Sequence, residues 1–225
     1  MAIFDKEASD YDDWYKSKMG NFVDEVETYL AFSLFQPKRG TKILDVGCGT
    51  GNFSMKLAEM GCKVVGVDVS EEMLKLAEEK SKDNNMDIEF HKMDVYGLDF
   101  EDEEFDIVFS MAAFEFIKEA KKAYNEMYRV LRKGGHLLIG TINRESRWGE
   151  LYLSKSVRDN SVFKHADFKS MDDLRAINPR EIIDYGECLF IPPDTTEKDI
   201  NIMYENKCRL KERGGFICVL WQKEG

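Results

Sequence analysis

In the run Leu44-Asp45-Val46-Gly47-Cys48-Gly49-Thr50-Gly51, three glycines alternate with other residues behind a short acidic and apolar stretch. Glycines so spaced let a backbone approach a ligand closely, and a helix start behind them offers free N–H groups. A second acid, Asp68, stands 21 residues after Gly47. Open α/β sheets place a carboxylate there to hold ribose hydroxyls. Two details separate the ligands such a turn can serve. The dinucleotide pattern G-x-G-x-x-G requires glycine at position 52, which is Asn52. Asp45 precedes the first glycine, and a carboxylate there repels a pyrophosphate but attracts an ammonium group. The plainer reading of Asp45 is an acid at a strand end or helix cap.

The elements around these residues alternate. Lys42–Val46 reads as a buried strand, Asn52–Met60 as a helix and Lys63–Val67 as a second strand. Ser70 is the expected N-cap of a helix carrying Met73, Leu74 and Ala77 on one face, with Glu71 and Glu72 in its first turn. Asp87–Phe90 and Phe105–Phe109 are the third and fourth strands. An amphipathic helix over Ala120–Leu131 is stopped by Gly134-Gly135, and His136–Thr141 is the fifth strand. Upstream, Met19–Phe35 reads as a helix with Phe22, Val26, Tyr29, Leu30 and Phe32 as its apolar residues. Downstream, Glu187–Ile191 and Phe216–Trp221 are strand-like and predict an antiparallel finish. Such alternation means a mostly parallel sheet covered by helices on both faces.

Composition narrows the partners. The 225 residues carry a net charge of −11, with 43% hydrophobic and 33% charged. That is enough apolar matter for a core, and an acidic chain repels phosphate backbones. The five cysteines are scattered without a CxxC pair and there are three histidines, so neither a disulfide framework nor a metal site is expected. MAIFDKEASD has no basic and apolar leader pattern, and no apolar run approaches the roughly 18 residues of a membrane span. A cytoplasmic protein without stable membrane insertion is the expectation.

S-adenosylmethionine (SAM) joins adenosine to a sulfonium and an ammonium without any phosphate, and is the ligand these residues favour. The stretch ILDVGCGTG, followed by GVDVSEEMLKLAEE, FDIVFSMAAFEFI and YRVLRKGGHLLIGTINR, resembles the class I SAM-dependent methyltransferases of the type 11 group. The resemblance spans residues 42–143. It implies a Rossmann-like fold: a mostly parallel seven-stranded sheet with an antiparallel last strand and helices on both faces. It also implies that Gly47, Gly49 and Gly51 line the methionine moiety of the cofactor, with Asp45 near its ammonium. Asp68 would take the ribose hydroxyls, Val69 and Met73 would lie beside the adenine, and Asp94 and Val95 would bond its edge. Ser110 and Met111 would lie beside the sulfonium. Residues 1–40 are expected to form a helical cap or lid, and 41–225 the SAM-binding domain with a substrate-side insertion at about 144–175. Lys133, Lys118-Glu119 and Leu98-Asp99-Phe100 depart from the commoner pattern in connecting segments and weaken assignment to a named subfamily.

The expected reaction is methyl transfer to a small or amphiphilic acceptor, leaving S-adenosylhomocysteine. It is mainly an alignment problem and calls for no indispensable catalytic residue. Tyr11 and Tyr15 are expected to fold over the cofactor, with Trp14, Trp148, Tyr152 and Phe163 toward the acceptor; simple packing is the competing reading. His165 and Glu115 are candidates for a proton acceptor, against readings as a solvated histidine and a helix-start acid. Cys48 reads as a small filler. Nucleic-acid acceptors are disfavoured by charge, by Ser110-Met-Ala-Ala113 in place of Asn/Asp-Pro-Pro-aromatic, and by the lack of a Pro-Cys pair. A monomer or homodimer is expected. The alternatives are a nicotinamide-dependent oxidoreductase, against which Asp45 and Asn52 argue, and a SAM-binding module without turnover.

Overall fold

The computed structural model describes residues 3–5 and 8–225; residues 1, 2, 6 and 7 of the expected 1–40 cap lie outside the described residues. The chain runs α1 (Ala8–Lys16), α2 (Lys18–Leu34), β1 (Lys42–Val46), α3 (Asn52–Glu59), β2 (Lys63–Asp68), α4 (Glu71–Asp83), β3 (Ile88–Lys92) and β4 (Phe105–Met111). It continues through α5 (Ala120–Val130), β5 (Leu131–Ile142), α6 (Arg147–Leu153), α7 (Lys155–Arg158), α8 (Met171–Ile177), β6 (Ile182–Cys188), α9 (Ile202–Cys208) and β7 (Phe216–Gln222).

The seven strands form one sheet in the order β3-β2-β1-β4-β5-β7-β6. Pairings from β3 through β5 are parallel, and β7 is antiparallel to both of its neighbours. Side chains alternate between two cores as the period of a strand demands. Ile43, Val64, Ile107 and Phe109 face one core with α2, while Leu44, Val65, Val67 and Val108 face the other with α5. Both faces of the central strands are therefore buried, which explains their largely apolar sequences. The strand order reverses beside β1, and the carboxyl ends of β1, β2 and β4 open a crevice at that switch point, where ligands of such sheets bind.

Several boundaries differ from the sequence reading for local reasons. The helix of α5 ends before the glycine pair: Leu131 already pairs with Phe105, and the ladder resumes at His136 opposite Ile107 after a register shift. Gly135 is needed there because a Cβ would sit 2.8 Å from the Asp106 carbonyl oxygen. The strand expected at Glu187–Ile191 is instead Ile182–Cys188, ended by Leu189 in the left-handed region (φ 63°). Beyond it, Phe190 and Ile191 stay buried because the Glu205 carboxylate accepts both of their N–H groups, at 2.8 and 2.9 Å. On α2 the buried face is Phe22, Val23, Val26, Glu27, Leu30 and Ala31, whereas Tyr29 points outward at 76% exposure.

Candidate active site

The loop after β1 is shaped by Gly47, Gly49 and Gly51, all at positive φ (72°, 53° and 80°). A Cβ on Gly47 would lie 2.5 Å from that of Ala113, while one on Gly49 would meet nothing within 4 Å. Gly49 thus presents bare backbone to open space. Four of the loop's N–H groups are spent within the protein: Gly47 and Cys48 donate to the Val67 carbonyl, Gly51 to Cys48, and Gly49 to the Asp68 carboxylate at 2.9 Å. The other Asp68 oxygen accepts from the Ser70 N–H at 2.8 Å, and Ser70 caps α4 as expected, accepting from the Met73 N–H. Burial raises the Asp68 pKa and these backbone donors counter it.

A cavity of about 250 Å³ opens over this loop. Gly47, Gly49, Asp68, Val69, Met73, Asp94 and Val95 line it, as does Tyr11. Its walls carry two carboxyls and, among the described residues, no lysine, arginine or histidine. These acceptors suit the hydroxyls of adenosine and a cationic tail. A diphosphate would meet carboxylates where it needs cations, and four loop N–H groups already committed.

Other expected residues lie behind the walls. Asp45 is 2% exposed and accepts a hydrogen bond from the Ser54 hydroxyl at 2.6 Å. Burial pushes its carboxyl up to about 7 against that bond, with Asp68 adding to the rise. Gly51 ends the loop as the N-cap of α3. Ser110 and Met111 are buried because β4 runs on to Met111, so Ala112 and Ala113 form the wall instead. Ala112 takes the left-handed conformation (φ 53°) at this strand-to-turn junction. Cys48 is buried with its thiol pushed well up by desolvation, so it is no thiolate.

Ala112, Tyr11, Phe4 and Phe116 also line a second cavity of about 320 Å³. Trp14, Tyr15, Trp148, Tyr152 and Phe163 from the sequence reading all reach it. Its rings are fixed by contact: Tyr152 lies 4.2 Å from Phe163 between centroids, and the Trp148 indole N–H donates to the Ile191 carbonyl at 2.8 Å. Burial pushes Tyr11 up to about 12 and Tyr15 well above 10, so both phenols stay protonated at neutral pH. His165 is exposed and lies outside this lining.

Two acids face the second cavity. Glu115, in a 3-10 turn over Phe114–Phe116, is 2% exposed and accepts from the Thr141 hydroxyl at 2.8 Å. Burial pushes its carboxyl up to about 7, although its own backbone N–H, Thr141 and the charge of Lys169 pull it down. Glu27, on α2, is 6% exposed, and burial together with the nearby Glu115 raises its pKa well above the ordinary glutamate value. Sequence reading passed over Glu27. Its position among Val23, Val26 and Leu30 was the available signal, an acid on a stripe otherwise apolar at helical spacing.

The N-terminal segment is tied across the glycine loop. Asp12 of α1 accepts from the Thr50 hydroxyl at 2.7 Å, from Lys80 of α4 at 2.9 Å and from the Asn52 amide at 3.3 Å. Burial works against its ionisation, but these donors hold its carboxyl below the usual range. Asp5 adds a second tie by accepting from the Ser70 hydroxyl at 2.7 Å. Among the described residues no His/Cys/Asp/Glu group has the makings of a metal site, and no helix is long and apolar enough to cross a membrane.

Comparison with known proteins bears on family and fold. The family described as "Methyltransferase domain" matches residues 44–139. An uncharacterized protein of Methanocaldococcus jannaschii, MJ1123, is 34% identical across 99% of this chain and 100% of its own length. A ubiquinone biosynthesis O-methyltransferase of Coxiella burnetii is 30% identical over 66% of this chain, and the match spans only 62% of that enzyme. A SAM-dependent methyltransferase of Thermotoga maritima, described as a possible histamine N-methyltransferase, shares the fold with a TM-score of 0.75 at 24% identity, over 99% of this chain and 98% of that one. Sheet order, glycine loop and sequence relatives converge, and the chain belongs to the class I SAM-dependent methyltransferases.

Proposed function

We propose that this protein transfers the methyl group of SAM to a small acceptor seated in the aromatic cavity. The observation that carries the reading is the shared wall: the cavity over the glycine loop and the aromatic cavity both border Ala112, Tyr11, Phe4 and Phe116. Two ligands bound in them therefore meet at the end of β4. The family match and the named methyltransferase relatives support SAM as the first of the two.

In this reading Asp68 holds the ribose hydroxyls, already oriented by the Gly49 and Ser70 N–H groups. Asp94 and Val95 serve the adenine edge, beside Val69 and Met73. Gly47 and Gly49 give backbone access to the methionine end. Asp45 acts from beneath the loop, its ionised form favoured when positive charge arrives above it. When bound, SAM supplies a methyl on a positively charged sulfur, already activated for displacement. The protein's own task is to align the acceptor and exclude water, with Tyr11 and Tyr15 closing the junction and Trp148 and Tyr152 walling the acceptor. Of the 1–40 segment, α1 serves as a cap that the Asp12 ties hold over the loop, while α2 packs on the sheet as part of the core. The acceptor's apolar part is set by the rings, and at about 320 Å³ the cavity is of small-molecule size.

Incubation with methyl-labelled SAM and fractionated cell extract tests this directly. Label is expected in a small-molecule fraction. Tight SAM binding without transfer to any fraction favours a binding module instead.

A further inference from the structure

The acceptor cavity offers two carboxyls and, among the described residues, no cationic side chain. Glu27 occupies a position on α2 that its neighbours Val23, Val26 and Leu30 mark for a hydrophobe. Among the described residues it accepts no hydrogen bond and enters no ion pair, so the cavity is what its carboxyl has to address. A buried acid left in that state is costly unless a partner arrives. The cations nearest in charge are committed elsewhere: Lys56 to Asp24 and Thr28, and Lys169 to Asp167. Glu115 faces the same space with one hydrogen bond from Thr141. The surrounding rings add faces that attract positive charge.

We propose that this cavity takes an amine as methyl acceptor, a primary or secondary ammonium on a compact apolar or aromatic body, recognised by the carboxylates of Glu27 and Glu115. The proposal rests on the methyltransferase reading above and names its acceptor class. An anionic acceptor would face two carboxyls, and an alcohol would leave Glu27 without a charged partner. The acids have a second use. An ammonium nitrogen has no lone pair until it passes one proton to a carboxylate, which yields a neutral amine and a carboxylic acid with protons and electrons conserved. The nitrogen lone pair then forms the N–CH3 bond as the S–CH3 bond breaks and its electron pair stays on sulfur. This leaves neutral S-adenosylhomocysteine and positive charge on nitrogen, so carboxylates placed there stabilise charge where it develops.

Calorimetric titration of the protein saturated with S-adenosylhomocysteine separates the possibilities. The probes are 2-phenylethylamine and n-hexylamine, beside uncharged 3-phenylpropan-1-ol and anionic 3-phenylpropanoate. At least one amine is expected to bind about tenfold or more tightly than the alcohol or the anion, a charge-assisted preference. Glu27→Gln should cut that preference to under about threefold, with the thermal midpoint and S-adenosylhomocysteine affinity retained. If Glu27→Gln fails to fold, Glu115→Gln carries the same comparison. Equal binding of alcohol or anion, or no binding of either amine, overturns the proposal. So does a Glu27→Gln protein that loses cofactor affinity and keeps the amine preference, which assigns Glu27 to the sulfonium. Failure of wild-type protein to bind S-adenosylhomocysteine would instead remove the methyltransferase reading itself.

Discussion

Replacing Glu115 by glutamine keeps its size and an acceptor for the Thr141 hydroxyl while removing a titrating group. In the unfolded chain this glutamate ionises at its ordinary 4.5, whereas burial pushes it up to about 7 in the fold. The folded state therefore binds the proton more tightly. For an acid of raised pKa, the stabilisation is fully present below the unfolded value and is lost as pH rises through the folded one. At about 1.4 kcal/mol per pKa unit, the full loss is roughly 3 kcal/mol, of which roughly 2–3 kcal/mol falls between about pH 5 and about pH 8. Urea unfolding at those two pH values is the assay. Wild type should lose this much more stability than Glu115→Gln over the interval, and the variant should be the more stable protein at the higher pH. Glu27 sharpens the contrast, because its neighbour's charge no longer opposes its ionisation. Identical pH slopes for the two proteins would refute the argument that Glu115 is held protonated by burial.

Further outcomes follow from the same geometry. Asp12→Ala cuts the ties to Thr50, Lys80 and Asn52. SAM affinity should fall by roughly threefold to tenfold, about 1 kcal/mol, in stopped-flow binding, with release accelerated and the thermal midpoint nearly unchanged. Gly47→Ala forces a side chain into the left-handed region and 2.5 Å from the Ala113 Cβ. It should cost roughly 1–3 kcal/mol in chemical denaturation and weaken SAM binding as well.

Much of the frame could be read from the chain because local and global signals agree. Central strands such as Lys42–Val46 are short apolar runs, and Ser70 caps its helix with acids behind it, so β1 and α4 start where expected. The misreadings fall where tertiary contacts outweigh local pattern. Phe190 and Ile191 look like strand residues, yet Glu205 from a distant helix satisfies their N–H groups after Leu189 has turned the chain. Glycines 134 and 135 look like a helix stop, yet they lie within β5, where Gly135 permits close approach to β4 and Gly134 takes the left-handed conformation (φ 72°). At the site, Asp68 and Asp94 follow strand ends and were legible, as were the aromatic residues Trp148 and Tyr152. Glu27 was not, because a single acid in an amphipathic helix carries no motif, and only the fold brings it to the cavity that Glu115 shares. Asp45 shows the limit of reading charge without depth: its place before the glycines suggests contact with an ammonium, while burial and Ser54 put it behind the cavity wall.

The most direct measurement is a pair of calorimetric titrations of the wild-type protein, one with SAM and one with NAD, repeated on Asp68→Ala. Saturable SAM binding without NAD binding is expected, and the substitution should weaken it by roughly 1–3 kcal/mol, about tenfold to a hundredfold. NAD binding in place of SAM, or SAM affinity indifferent to Asp68→Ala, would contradict a carboxylate-lined cleft built for a cationic nucleoside.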